Sequence, residues 1–181
     1  MKAYENYEDR LKMAEMHDDI LDKIKSSYND ESYIETCWLC YACFENRVER
    51  IMEKLNCVCS KPTRTSRFAG ITTKLKCLKR LMKSNYEMLD SSDVDLINNI
   101  IAWCSKRNKL THSLITLEQY EKSDDEFALL AEKGIGLVEQ SYTLGTNVRN
   151  YYYNADALEM LPKEIVKKCE LKSKCTYDKG E

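Results

Sequence analysis

The stretch DVDLINNIIAWCSKRNKLTHSLITL, Asp93 to Leu117, decides how this chain folds. At about 100° per residue, Ile97, Ile100, Ile101, Cys104 and Ile115 line one side of a helix. Leu96, Trp103, Leu110 and Leu114 line the opposite side. A helix that is apolar on two sides is central in its bundle or shared with a partner subunit. The same stretch also breaks its own pattern with KRNKLTH, Lys106 to His112. Asn108 and Thr111 lie in line with the first apolar side, and Arg107 and His112 fall on its flanks.

Working outward, Asp90-Ser91-Ser92-Asp93 is a helix start signal for this fourth helix. A third helix is expected from about Ser66 to Leu89, with Ile71, Leu75, Leu78 and Met82 inward. Before it comes the polar connector CVCSKPTRTS with Pro62. A second helix from about Ser32 to Asn56 carries the series Ile34, Cys37, Tyr41, Phe44, Val48, Ile51, Leu55. SYNDES separates it from a first helix over about Glu5 to Ser27. Ser123 to Glu126, SDDE, has capping-box spacing and is expected to open a fifth helix reaching about Tyr153.

These segments predict an all-α protein, an up-and-down antiparallel bundle of about five helices. Residues 1–160 form one helical domain in this reading, and 161–181 a tail that is an extra helix or frayed chain. Five glycines and two prolines are too few for a sheet protein rich in tight turns. No run of about 18 apolar residues exists, so no membrane partner is expected. The polar start MKAYENYEDR suggests no signal peptide, hence a cytoplasmic location.

Nine cysteines in such a chain are expected as free thiols. Cys37-x-x-Cys40 and Cys57-x-Cys59 could together hold zinc. Cys37, however, belongs to the apolar series of helix two, where cysteine acts as a small hydrophobe. Cys40 and Cys43 share that helix without a turn to wrap a metal. The expectation is no metal and no cofactor.

Charge is uneven although the net value is −2. Residues 1–35 hold ten carboxylates against five basic side chains. From Lys54 to Tyr86 there is no carboxylate, but nine lysines and arginines, Arg67, Lys76, Arg80 and Lys83 among them. Such a stretch either holds phosphates or pairs with the acidic first helix. NVRNYYYN, Asn147 to Asn154, offers aromatics that either stack on bases or close the end of the bundle.

Burying an unpaired guanidinium costs several kcal/mol, so Arg107 needs partners or a wet cleft. The structural alternative pairs Arg107 with a carboxylate and His112 with a carbonyl. Asn108 and His112 stack at i, i+4, so the amide can orient the imidazole. A cation, an oriented imidazole and an amide, with Lys106 and Lys109 beside them, suit a phosphodiester under attack. His17, the other histidine, sits among acids in MEMHDD and reads as a partly exposed structural residue.

Arg107, Asn108 and His112 in RNKLTH resemble the R-x4-H motif, in its RN-x3-H form, of the HEPN superfamily. That family is all-helical and of about this size, and carries the motif late in its bundle. The resemblance implies a metal-independent endoribonuclease, often a toxin with an antitoxin partner or an antiphage defence protein. Two motifs would meet across a homodimer interface. It further implies that Arg107 holds the scissile phosphate, His112 moves protons and Asn108 positions the pair. The RNA 2′-hydroxyl would attack, leaving a 2′,3′-cyclic phosphate. Lys106, Lys109, Arg67, Lys76, Arg80 and Lys83 are the expected RNA-binding residues. Some members continue the motif as R-x4-H-x-Tyr; here that position is Leu114. The competing expectation is a non-catalytic helical module for dimerisation or for nucleotide or RNA binding.

Overall fold

The computed structural model describes residues 7–54, 70–83, 91–114 and 117–156. They form five helices: α1 Tyr7–Asn29, α2 Tyr33–Lys54, α3 Ile71–Lys83, α4 Ser91–Ser113 and α5 Leu117–Asp156. No strand occurs among the described residues. No helix among them is long and apolar enough to cross a membrane.

The α1–α2 turn is a Schellman closure. Ser32 N–H donates to the Ser27 carbonyl at 2.9 Å, and Glu31 N–H to that of Tyr28 at 3.0 Å. Glu31 takes the left-handed conformation this needs, with φ of 59°, where glycine is the usual occupant. The Ser32 carbonyl then accepts from Thr36 N–H, starting α2. Buried Thr36 donates its hydroxyl to the same carbonyl at 3.0 Å.

Side-chain contacts give the helix directions. Cys37 Sγ lies 3.9 Å from the Phe127 carbonyl, and further along both helices Arg47 stacks on Tyr142, so α2 and α5 run the same way. α4 opposes both. Asp93 meets Asn147 while Trp103 meets Leu130; Phe44 meets Trp103 while Tyr41 meets Arg107. α3 follows α2, since Tyr41 bonds to the Ile71 backbone and Lys74 pairs with Glu45 and Glu49. Direction therefore alternates from α1 to α2 and from α3 through α5, but not between α2 and α3. Residues 55–70 separate that pair. Connections of about 2–8 residues join antiparallel bundle neighbours; a longer one carries no such constraint.

One core joins all five helices. It includes Ile24 of α1, Phe44 and Val48 of α2, Leu75 and Leu78 of α3, Ile97 and Ile100 of α4, and Leu130, Leu137 and Val148 of α5. Each such side chain contributes about 1.5–3 kcal/mol on leaving water. Cys37, Cys40 and Cys104 are buried within this core as free thiols. Cys57 and Cys59 lie outside the described residues.

One expected boundary moves. α5 begins at Leu117, not at Ser123, so SDDE lies inside the helix instead of capping it. Leu117 to Lys122, LEQYEK, contains no glycine, proline or other strong breaker. Capping-box spacing on its own cannot stop a helix that already has good formers upstream.

Candidate functional site around Arg107

α4 packs on α5 and α3 and more lightly on α2, and the α2–α5 pair, not α4, forms the centre of the bundle. Leu96, Ile97, Ile100, Trp103, Cys104 and Leu110 of α4 are nonetheless all buried. Arg107 follows Ile100 and Cys104 at helical spacing and is drawn into the same burial, at 7% exposure. Its guanidinium carbon lies 3.9 Å from the ring centroid of Trp38 and 4.6 Å from that of Tyr41, both on α2. Cation–π attraction strengthens as the cation is desolvated, and here the guanidinium is buried although Trp38 is half exposed. Among the described residues no carboxylate pairs with Arg107. Its Nη1 donates to Asn108 Oδ1 at 3.0 Å, while Nε and Nη2 are buried without a hydrogen-bond partner.

Asn108 therefore turns its amide oxygen to Arg107. Both Asn108 and His112 are exposed. Thr111 Oγ1 donates to the Arg107 carbonyl at 2.9 Å, tying the last turns of α4 together. From Arg107 to His112 the helix turns by about 140°, which matches one being buried and the other exposed. One copy of α4 thus aims its arginine and its histidine in different directions.

Lys106 and Lys109 are exposed on α4 beside this group, and Lys76 is exposed on α3. Arg67 lies outside the described residues, and so do the side chains of Arg80, Lys83 and His17 and the NVRNYYYN side chains from Arg149 on. Lys74 is buried and reaches Glu45 and Glu49, so part of the basic charge of α3 is met by α2. Lys79 donates to Asn98 of α4.

Two residues of the site are not read as site residues from sequence: Tyr41 is read only as part of the apolar series of helix two, and Trp38 is not read at all. Trp38 and Tyr41 stand three apart on α2, beside the core line of Cys37, Cys40 and Phe44. That spacing was legible as one helix edge, but nothing in it marks Arg107 as the occupant. Burial pushes the thiols of Cys37 and Cys104 up to about 12, against the opposing pull of the Arg107 charge. They act as packing groups at neutral pH. No group of three or more potential metal ligands occurs among the described residues.

Fold and site together define an all-α bundle with an aromatic-clamped arginine near the end of its fourth helix. No family model, curated protein or solved structure matches the chain.

Proposed function

We propose that this protein is a metal-independent endoribonuclease of the HEPN type, acting as a homodimer in a toxin–antitoxin or antiphage role. The observation that carries the reading is Arg107: a buried guanidinium with two unbonded donors, held by π faces and an amide instead of a carboxylate. An arginine satisfied by an acid has little left for a phosphate. This one keeps its charge and two donors that no acceptor of its own chain engages. Both are buried beneath Trp38, so a phosphodiester oxygen meets them only where that cover moves aside.

His112 supplies the proton transfer, as base toward the RNA 2′-hydroxyl or acid toward the leaving 5′-oxygen. The divergence of Arg107 and His112 along one helix supports a composite site, with the histidine of each copy working on a phosphate held with the arginine of the other. Two copies also provide the two proton-transfer groups that cleavage needs. Lys106 and Lys109 add positive charge next to the motif, and Asn108 fixes the guanidinium.

The test incubates wild type and His112→Ala with total RNA in EDTA and examines the product ends. Cleavage by wild type alone, leaving 2′,3′-cyclic phosphate, supports the assignment. Equal cleavage by both proteins removes His112 from the mechanism.

One observation favours a second reading. Arg107 is deep enough to serve as a strut beneath Trp38 in a non-catalytic dimerisation or nucleotide-binding module. That reading expects no cleavage and a large stability loss on removing the guanidinium.

A further inference from the structure

The chain has two tryptophans, and they are placed oppositely: Trp103 is 2% exposed and Trp38 is 51% exposed. A large indole held at the surface is unusual when the interior has room for the other one. Trp38 is nonetheless fixed, because the Arg107 guanidinium occupies one part of its π system. The same residue lines a surface groove whose apolar wall is completed by Tyr33 and Ile34. Glu31, Glu35 and Asp124 also line that groove.

We propose that this groove is a nucleobase subsite with a preference for guanine. Trp38 stacks the base, and Glu35 accepts from its Watson–Crick edge. The inference rests on the RNA reading given above and adds which nucleotide the site selects.

Three arguments converge on it. Unpaired bases stack on exposed aromatic rings, and a ring already held in place loses little further freedom on doing so. The guanidinium on Trp38 disfavours a second cation on that ring and leaves it suited to a flat, neutral partner. Carboxylates accept hydrogen bonds and donate none. Among the four RNA bases, guanine alone presents two adjacent donors on its Watson–Crick edge, N1–H and N2–H2, which match the two oxygens of one carboxylate. Arg107 behind the ring is the positive charge nearest the groove, and Lys106 and Lys109 are exposed on the same helix, so a phosphate drawn toward α4 need not enter the acidic groove.

The experiment titrates the full-length protein with GMP, AMP, CMP and UMP, following tryptophan fluorescence and, in parallel, binding heat. GMP is expected to bind at least about fivefold more tightly than the other three. Trp38→Ala should weaken GMP about tenfold, while Trp38→Phe, which keeps a stacking face, should stay within about threefold. Glu35→Gln should level the four affinities without abolishing them, which a purely structural role for Glu35 would not do. Circular dichroism melts of each variant separate lost folding from lost binding.

Equal binding of all four nucleotides, or unchanged GMP binding by a folded Trp38→Ala protein, overturns the proposal. So does quenching of Trp38 by an arginine-rich peptide but not by GMP, which would give the groove to a basic protein partner. The ribonuclease reading fails separately. Selective GMP binding with no RNA cleavage keeps the subsite and removes the nuclease; His112-dependent cleavage with no guanine preference does the reverse.

Discussion

Trp103 and Gly134 are packed so closely that no side chain fits between them. A Cβ on Gly134 would lie 2.9 Å from Cζ2 of the indole. The ring cannot retreat easily, because its Nε1 donates to the Leu130 carbonyl at 2.8 Å and its edge meets Phe44, with centroids 5.3 Å apart. Gly134→Ala should therefore destabilise the protein by about 1–3 kcal/mol, the usual range for overpacking, despite alanine's better helix propensity. Gly136, two residues on in the same helix, has open space at its Cβ position. Gly136→Ala should instead stabilise by up to about 1 kcal/mol. Urea unfolding of the two variants checks both signs.

The α1–α2 turn yields a stabilising substitution. Glu31 holds a φ of 59°, which costs a residue with a Cβ roughly 1–2 kcal/mol relative to glycine. Its N–H and that of Ser32 complete the Schellman bonds, and both survive in Glu31→Gly. The midpoint of unfolding should rise, by an amount equivalent to about 1 kcal/mol. A fall would mean that the Glu31 carboxylate contributes more than its backbone strain costs.

Much of this fold was legible because helices two to four each show a dense apolar period. Phe44, Val48 and Ile51, Leu75 and Leu78, and Ile97, Ile100 and Cys104 are buried where the period puts them. The start of α5 was not legible. Capping-box spacing at Ser123 to Glu126 is a local signal, and the helix-forming LEQYEK before it outweighs it. Helix direction between α2 and α3 also escaped, since periodicity says which face is buried and not which way a neighbour runs. At the site, Arg107 announced itself by interrupting a stripe. Its clamp did not, because Trp38 and Tyr41 come from a different helix and only the folded packing of α2 on α4 brings them to the guanidinium.

Alkaline pH should weaken the protein through its buried thiols. Burial raises Cys37 and Cys104 from an ordinary value of 9.0 to about 12. Below about 9 both folded and unfolded chains keep these protons, and the thiols add no pH dependence. Between about 9 and 12 the unfolded chain releases them while the native state retains them, so the unfolded state binds fewer protons and stability falls as pH rises. Urea midpoints measured from pH 8 to 11 should be flat at first and then decline. Replacing Cys37 and Cys104 together by alanine should make the decline shallower without removing it, since burial also raises Cys40, Cys43 and Tyr41. The starting stability should be lower because small cavities are left.

The histidine and the arginine of the motif should respond to mutation in opposite environments. His112 is exposed, so His112→Ala should change the melting temperature by no more than the equivalent of about 0.5 kcal/mol and, on the ribonuclease proposal, should abolish cleavage. Arg107 is buried with Nε and Nη2 unbonded, and each such orphan costs about 1–3 kcal/mol or more for a charged group. Methionine has a similar length, can lie between Trp38 and Tyr41 with a favourable sulfur–aromatic contact, and brings no donors to leave unmet. Arg107→Met forfeits the cation–π attraction of roughly 2 kcal/mol for a desolvated cation, yet sheds both orphans and the burial of a charge. The balance should leave stability unchanged or raised by up to about 2 kcal/mol, as when buried ionic groups are replaced by apolar ones of similar volume. On the ribonuclease proposal, cleavage should vanish together with phosphate affinity. Thermal melts paired with the RNA assay decide the matter: a stable, inactive Arg107→Met protein means the chain keeps a costly guanidinium for its chemistry, whereas a drop of several kcal/mol would make Arg107 the strut beneath Trp38.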